Sequence, residues 1–113
     1  MSHDPNCIFC KIAAGQIPSR KVHEDDELLA FHDIHPAAPV HFLIIPKVHL
    51  PSLAEAGPEH EALLGRMMAL APRLAVAQGA TNGFRSVINT GHDGGQEVYH
   101  LHLHVMGGPR PWK

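Results

Sequence analysis

The segment His100-Leu101-His102-Leu103-His104-Val105-Met106 alternates an imidazole with an aliphatic side chain. Successive side chains on a strand point to opposite faces. A strand here therefore sets three imidazoles on one side and Leu101, Leu103 and Val105 on the other. At a rise of about 3.3 Å per residue, neighbouring imidazoles root about 6.6 Å apart. A phosphate group can bridge that gap, whereas a tetrahedral zinc needs ligands from other segments. The pattern asks for a sheet with one packed face and one polar face, as a site built on a sheet requires. Taken alone, it also fits a half-exposed strand carrying polar residues on its wet side.

The chain has 113 residues, enough for a single domain over 1–113, and its 44% hydrophobic content suffices for one packed core. Nine Lys and Arg against eleven Asp and Glu leave a formal charge of −2, which gives no reason to expect nucleic acid or an acidic membrane surface as a partner. The longest aliphatic–aromatic run is Phe42-Leu43-Ile44-Ile45, far short of the ~20 residues that cross a bilayer. The start, Met1-Ser2-His3-Asp4-Pro5, has neither basic nor apolar character, so no secretory signal is expected. With Cys7 and Cys10 only three positions apart, the reading is cytoplasmic, with thiols free for metal or redox chemistry. Eleven histidines scattered from His3 to His104 point to chemistry, because neutral imidazole is a nucleophile, a proton carrier and a metal ligand.

Ile8–Ala14 reads as a short helix closed by Gly15. Lys21–Glu24 and Leu28–Asp33 read as a hairpin turning through the acidic stretch between them. The prolines of Ile34-His35-Pro36-Ala37-Ala38-Pro39 end the second strand, and the apolar run His41–Pro46 is a central strand. A helix begins at Gly57-Pro58-Glu59 and runs to Gln78, with Leu63, Met67, Leu70 and Leu74 at helical spacing, a kink expected from Pro72, and Gly79 as its cap. Arg85–Asn89 and Val98–Met106 complete five strands. Together these predict an α+β domain: an antiparallel sheet with its helices on one face. The loop Asn89–Glu97 holds three glycines, which allow backbone amides to turn toward an anion; a plain surface turn reads the same way.

His100–Met106 resembles the signature of the histidine triad family, His-φ-His-φ-His-φ-φ with φ apolar. The resemblance continues through Ile8-Phe9-Cys10-Lys11-Ile12, Ile17-Pro18, Phe31-His32-Asp33-Ile34, His41–Lys47 and Gly94-Gly95-Gln96-Glu97-Val98-Tyr99. Gly107-Gly108 and the C-terminal Trp112 resemble its Hint-like branch, the histidine triad nucleotide-binding proteins. That resemblance implies hydrolysis of purine nucleoside 5′-phosphoramidates. The middle histidine, His102, would attack the α-phosphorus and form a nucleotidyl-imidazole that water then opens. It makes His104, Asn89 and the amides near Gly95 and Gln96 the phosphoryl contacts, beside Glu97. Asp33 would hold the ribose hydroxyls. Ile8, Phe9, Ile12, Ile17, Phe31, His32, Ile34 and Leu43 would line the base and ribose pocket, although core packing explains the apolar ones equally well. Many Hint-branch proteins carry serine where this chain has Glu97, and a carboxylate beside phosphate is repulsive unless protonated or turned away.

Cys7-x-x-Cys10 has the spacing of a zinc half-site or of a redox pair. Relatives with this pair complete a structural zinc site with the residues that correspond to His49 and His100. The resemblance also implies a homodimer with a ten-stranded sheet and the C-terminal tail near the partner's pocket. Two other functions stay open: a dinucleoside polyphosphate hydrolase, and a zinc-stabilised module that binds nucleotides or proteins without turnover.

Overall fold

The computed structural model describes residues 3–109, so Trp112 and the tail lie outside the described residues. Its elements run α1 (Ile8–Ala13), β1 (Lys21–Glu24), β2 (Leu28–His32), β3 (Val40–Pro46), two 3₁₀ turns (Leu53–Glu55 and Pro58–His60), α2 (Glu61–Ala77), β4 (Phe84–Val87) and β5 (Leu103–Gly107). The strands form one antiparallel sheet in the order β1-β2-β3-β5-β4. The α+β class and the five strands are as expected. The hairpin turn is fixed by Asp25, whose Oδ1 accepts the amides of Glu27 at 2.8 Å and Leu28 at 2.9 Å. Gly79 closes α2 with φ +102, a conformation that favours glycine, and α2 continues through Pro72 to Ala77.

The helices lie on opposite faces, not on one. α2 contributes Met67, Leu70, Ala71 and Ala75 to a core with Leu28, Ala30, Phe42, Ile44, Leu101, Leu103 and Val105. α1 packs Phe9, Cys10 and Ile12 onto Leu29, Phe31, Leu43 and Ile45. The cause is visible in β2 and β3, whose apolar runs are buried on both faces, so each face needs its own cover.

The last strand is shorter than Val98–Met106. Pairing with β3 starts at Leu103 opposite Ile44, and one step further back the ladder would reach Ile45 and then Pro46, which has no N–H to give. The carbonyl of Pro46 is taken by the His100 ring at 2.7 Å, and the Leu101 amide turns to the Leu50 carbonyl at 2.7 Å. His100, in a bend over residues 98–100, and His102 thus sit on the lead-in to β5, while the alternation survives: Leu101, Leu103 and Val105 all enter the core beneath α2.

Candidate active site

The three imidazoles lie on the α1 side of the sheet. The rings of His102 and His104 are 5.0 Å apart, and Phe9 of α1 sets its ring edge-on to His102 at 5.1 Å and to His100 at 6.0 Å. His41 joins them from β3, 5.3 Å from the ring of His104. The register explains why: Leu43 faces His104 across the ladder, and His41 lies two residues from Leu43 in the same row.

Backbone groups fix which nitrogen of each ring holds the proton. His102 Nδ1–H donates to the His100 carbonyl at 2.7 Å, so in the neutral ring Nε2 keeps its lone pair. The Ala37 amide donates to His41 Nδ1 at 2.9 Å, which places the His41 proton on Nε2. From there it reaches His104 Nδ1 at 3.0 Å, leaving the His104 proton on Nε2, free to donate to a ligand. Asp33 Oδ2 stands 3.4 Å from His41 Nε2, and its Oδ1 accepts the His35 amide at 2.8 Å. Burial holds His104 at a pKa of about 4 and pushes His41 down too, so both rings are neutral near pH 7. The cluster Asp33–His41–His104 is compact enough for a cation, but a protonated Nε2 on His41 has no lone pair to offer one.

A second cluster adjoins the first. Cys7 Sγ lies 3.3 Å from His100 Nδ1, Cys10 Sγ lies 3.3 Å from His49 Nδ1 and 3.5 Å from His100 Nδ1, and the two Nδ1 atoms are 3.4 Å apart. The edges of a tetrahedron with zinc-type bond lengths are about 3.6 Å between sulfur and nitrogen and about 3.3 Å between nitrogens, so the donor set fits such an ion. The surrounding bonds suit it as well. His100 Nε2–H donates to the Pro46 carbonyl, which leaves Nδ1 as the lone-pair nitrogen. The amides of Asp4 and Cys10 donate to the sulfurs of Cys10 and Cys7 at 3.4 Å and 3.3 Å. Burial raises the Cys10 thiol, a cost to the thiolate that a bound cation would offset, and lowers His100 to about 4, which keeps its ring in the neutral form that a metal needs.

The glycine loop departs from expectation. The amides of Gly94 and Gln96 donate to the Gly91 carbonyl at 3.2 Å and 3.0 Å, and that of Gly95 to the His92 carbonyl at 3.0 Å. In this structure they close the loop on itself, so they do not stand free as an anion cradle. Gly91 and Gly95 allow that closure with φ of +71 and +79. Gln96 is a buried clamp whose amide donates to the carbonyls of Pro51 at 2.7 Å and Val98 at 3.0 Å, while its Oε1 accepts the Gly91 amide at 2.9 Å. Glu97 is exposed. Asn89 lies two residues past Val87, which pairs with His104; continuing that register brings Asn89 level with His102.

Phe9, Ile12, Phe31 and Leu43 are buried in the α1-side core, and Ile17 packs against it. Ile8 and Ile34 are 48% and 86% exposed, so core packing does not account for them. His32 pairs with Phe42 and falls in the row of Ala30, the other row from Phe31. The family resemblance already puts His41 at the pocket; what strand-by-strand reading misses is its bond to His104, for which the even spacing from Leu43 is the available signal.

Fold and site together define an α+β protein whose last strand and its lead-in carry three alternating imidazoles, the middle one with its lone pair on Nε2 in the neutral ring. A family model described as the scavenger mRNA decapping enzyme C-terminal binding region matches residues 6–112. The chain is 62% identical over 104 residues to Protein HitA of Neisseria gonorrhoeae, covering 92% of this chain and 97% of that one. It is 48% identical over 102 residues to the purine nucleoside phosphoramidase of Escherichia coli K12, covering 89% and 86%. A histidine triad protein from Clostridium difficile superposes with a TM-score of 0.93 at 43% identity, covering 98% and 97%, and a HIT family hydrolase from Legionella pneumophila with 0.90 at 48%, covering 93% and 95%. The chain belongs to the histidine triad family.

Proposed function

We propose that the chain hydrolyses purine nucleoside 5′-phosphoramidates at the phosphorus–nitrogen bond. The observation that carries this reading is the His102 Nδ1–H bond to the His100 carbonyl, because it leaves the lone pair of the neutral ring on Nε2. His102 Nε2 attacks the α-phosphorus, the P–N bond breaks, and the amine leaves with that electron pair and a proton from solvent, which the water of the second step gives back. Water then opens the nucleotidyl-imidazole, releasing a nucleoside monophosphate and restoring the ring. His104 Nε2–H donates to a phosphoryl oxygen, where a fixed donor counts most as charge develops. Asn89 and Gly95, with Gln96 bracing their loop, border the phosphate, and exposed Glu97 turns its carboxylate to solvent. Asp33 meets the ribose, and the exposed aliphatics Ile8 and Ile34 cover the base beside Phe9, Ile12, Ile17, Phe31 and Leu43. The 48% identity to a phosphoramidase supports this substrate class.

Cys7, Cys10, His49 and His100 would hold a zinc ion, which supplies a crosslink between the N-terminal helix and the segment leading into β5. The protein is further read as a homodimer. β4 is one of the two edge strands and has no further strand beside it among the described residues, a groove of about 730 Å³ runs beside it along Asn82, Phe84 and Met106, and Met68 and Val76 of α2 are exposed. Steady-state assay of adenosine 5′-phosphoramidate beside diadenosine tetraphosphate tests the substrate. Faster turnover of the phosphoramidate is expected; preference for the tetraphosphate makes the chain a dinucleoside polyphosphate hydrolase. Nucleotide binding without turnover of either makes it a binding module.

A further inference from the structure

Outside the reacting rings, the feature with the furthest physical reach is the way the four-donor cluster touches His102 twice. First, the residue that lends Nδ1 to the cluster, His100, lends its backbone carbonyl to His102 Nδ1–H at 2.7 Å. One residue therefore serves both sites, through its ring and through its main chain. Second, Cys7 and Cys10 bracket Phe9, whose ring edge meets the His102 ring at 5.1 Å and 89°. α1 has only six residues, too few to stay helical alone, so it is held by the packing of Phe9, Cys10 and Ile12 on the sheet and by the contacts of the two sulfurs at its start. His100 is fully buried, and its ring is pinned at both nitrogens, by the Pro46 carbonyl and by the cluster.

We propose that Cys7, Cys10 and His49 are positioning residues for His102: a cation in the cluster sets the His100 carbonyl and the Phe9 ring, and so the aim of the His102 ring. The inference rests on the metal and nucleotide readings given above. The coupling runs both ways, because any factor by which the metal tightens nucleotide binding is the factor by which nucleotide tightens metal binding. Cation and nucleotide never touch; they meet through His100 and Phe9.

The test uses the protein loaded with Co²⁺ and adenosine 5′-monophosphate as the probe. Tetrahedral thiolate coordination gives Co²⁺ intense visible and near-ultraviolet bands. The expected result is a shift of those bands on adding the nucleotide, with Co²⁺ held on the order of fivefold more tightly against a competing chelator. Stripping the metal should weaken nucleotide binding by the same factor. In Cys7→Ser, kcat should fall more than KM rises, which general loosening of the fold would not produce. Bound nucleotide with unchanged cobalt bands and unchanged metal affinity overturns the coupling and leaves both sites standing. Failure to take up tetrahedral Co²⁺ removes the metal reading and the coupling with it, and failure to bind the nucleotide removes the substrate reading and the coupling.

Discussion

At the residue scale the site is a problem of proton placement. Imidazole can be donor or acceptor at either nitrogen, and here three main-chain groups decide: the His100 carbonyl for His102, the Ala37 amide for His41, and the Pro46 carbonyl for His100. The His41 proton then settles His104. His102→Asn keeps a polar side chain but has no ring nitrogen to bond phosphorus, so kcat for adenosine 5′-phosphoramidate should drop by on the order of 10³ or more. His41→Leu deletes no group that touches substrate, yet frees His104 to take the wrong tautomer. Its kcat should fall about tenfold, less than the 10²–10³ lost with a direct oxyanion donor, and an unchanged kcat would show that His104 needs no such guide. Of all this, the sequence shows the alternation and the candidate rings. The tautomers depend on carbonyls and amides brought in from distant segments, and no spacing rule reports those.

At the element scale, the strands were legible where apolar runs or alternation were uninterrupted, as in β2 and β3. The start of β5 was not legible, because it is set by Pro46 on a neighbouring strand. Nor did periodicity reveal that α1 and α2 take opposite faces; that follows from which row of β2 and β3 each helix covers. β5 ends against a tight contact: a Cβ built on Gly107 would lie 2.5 Å from Ala80 Cβ. Gly107→Ala should destabilise by about 1–3 kcal/mol, read as a lower midpoint in urea, since relief requires the segment after α2 to move. A midpoint equal to the parent's would mean that segment yields freely. At the far edge, Glu24 bonds Lys21 at 2.6 Å and Lys47 at 2.8 Å, and these lysines hold its carboxyl at about 2.

At the scale of the whole molecule, pH and metal act on stability through these groups. His104 titrates near 4 in the fold because it is buried, against about 6.5 in an unfolded chain, and His41 is shifted the same way. Between those values the unfolded chain binds more protons, so stability is full above about pH 6.5 and is lost as pH falls toward 4. Glu24 adds stability above its unfolded pKa, lost as pH falls toward 2. Calorimetry should therefore show the unfolding temperature declining from pH 7 to 4; a flat profile would contradict the burial of these rings. Chelation at pH 7 should lower it too, because the ion would bind only the folded donor set. The central claim concerns a bond, and it is tested most directly by the intact mass of the protein, quenched within the first turnover of adenosine 5′-phosphoramidate. The account predicts a species heavier by one adenylyl group, mapping to His102. Product formed in that first turnover with the mass unaltered throughout, or an adduct on a different residue, would contradict it.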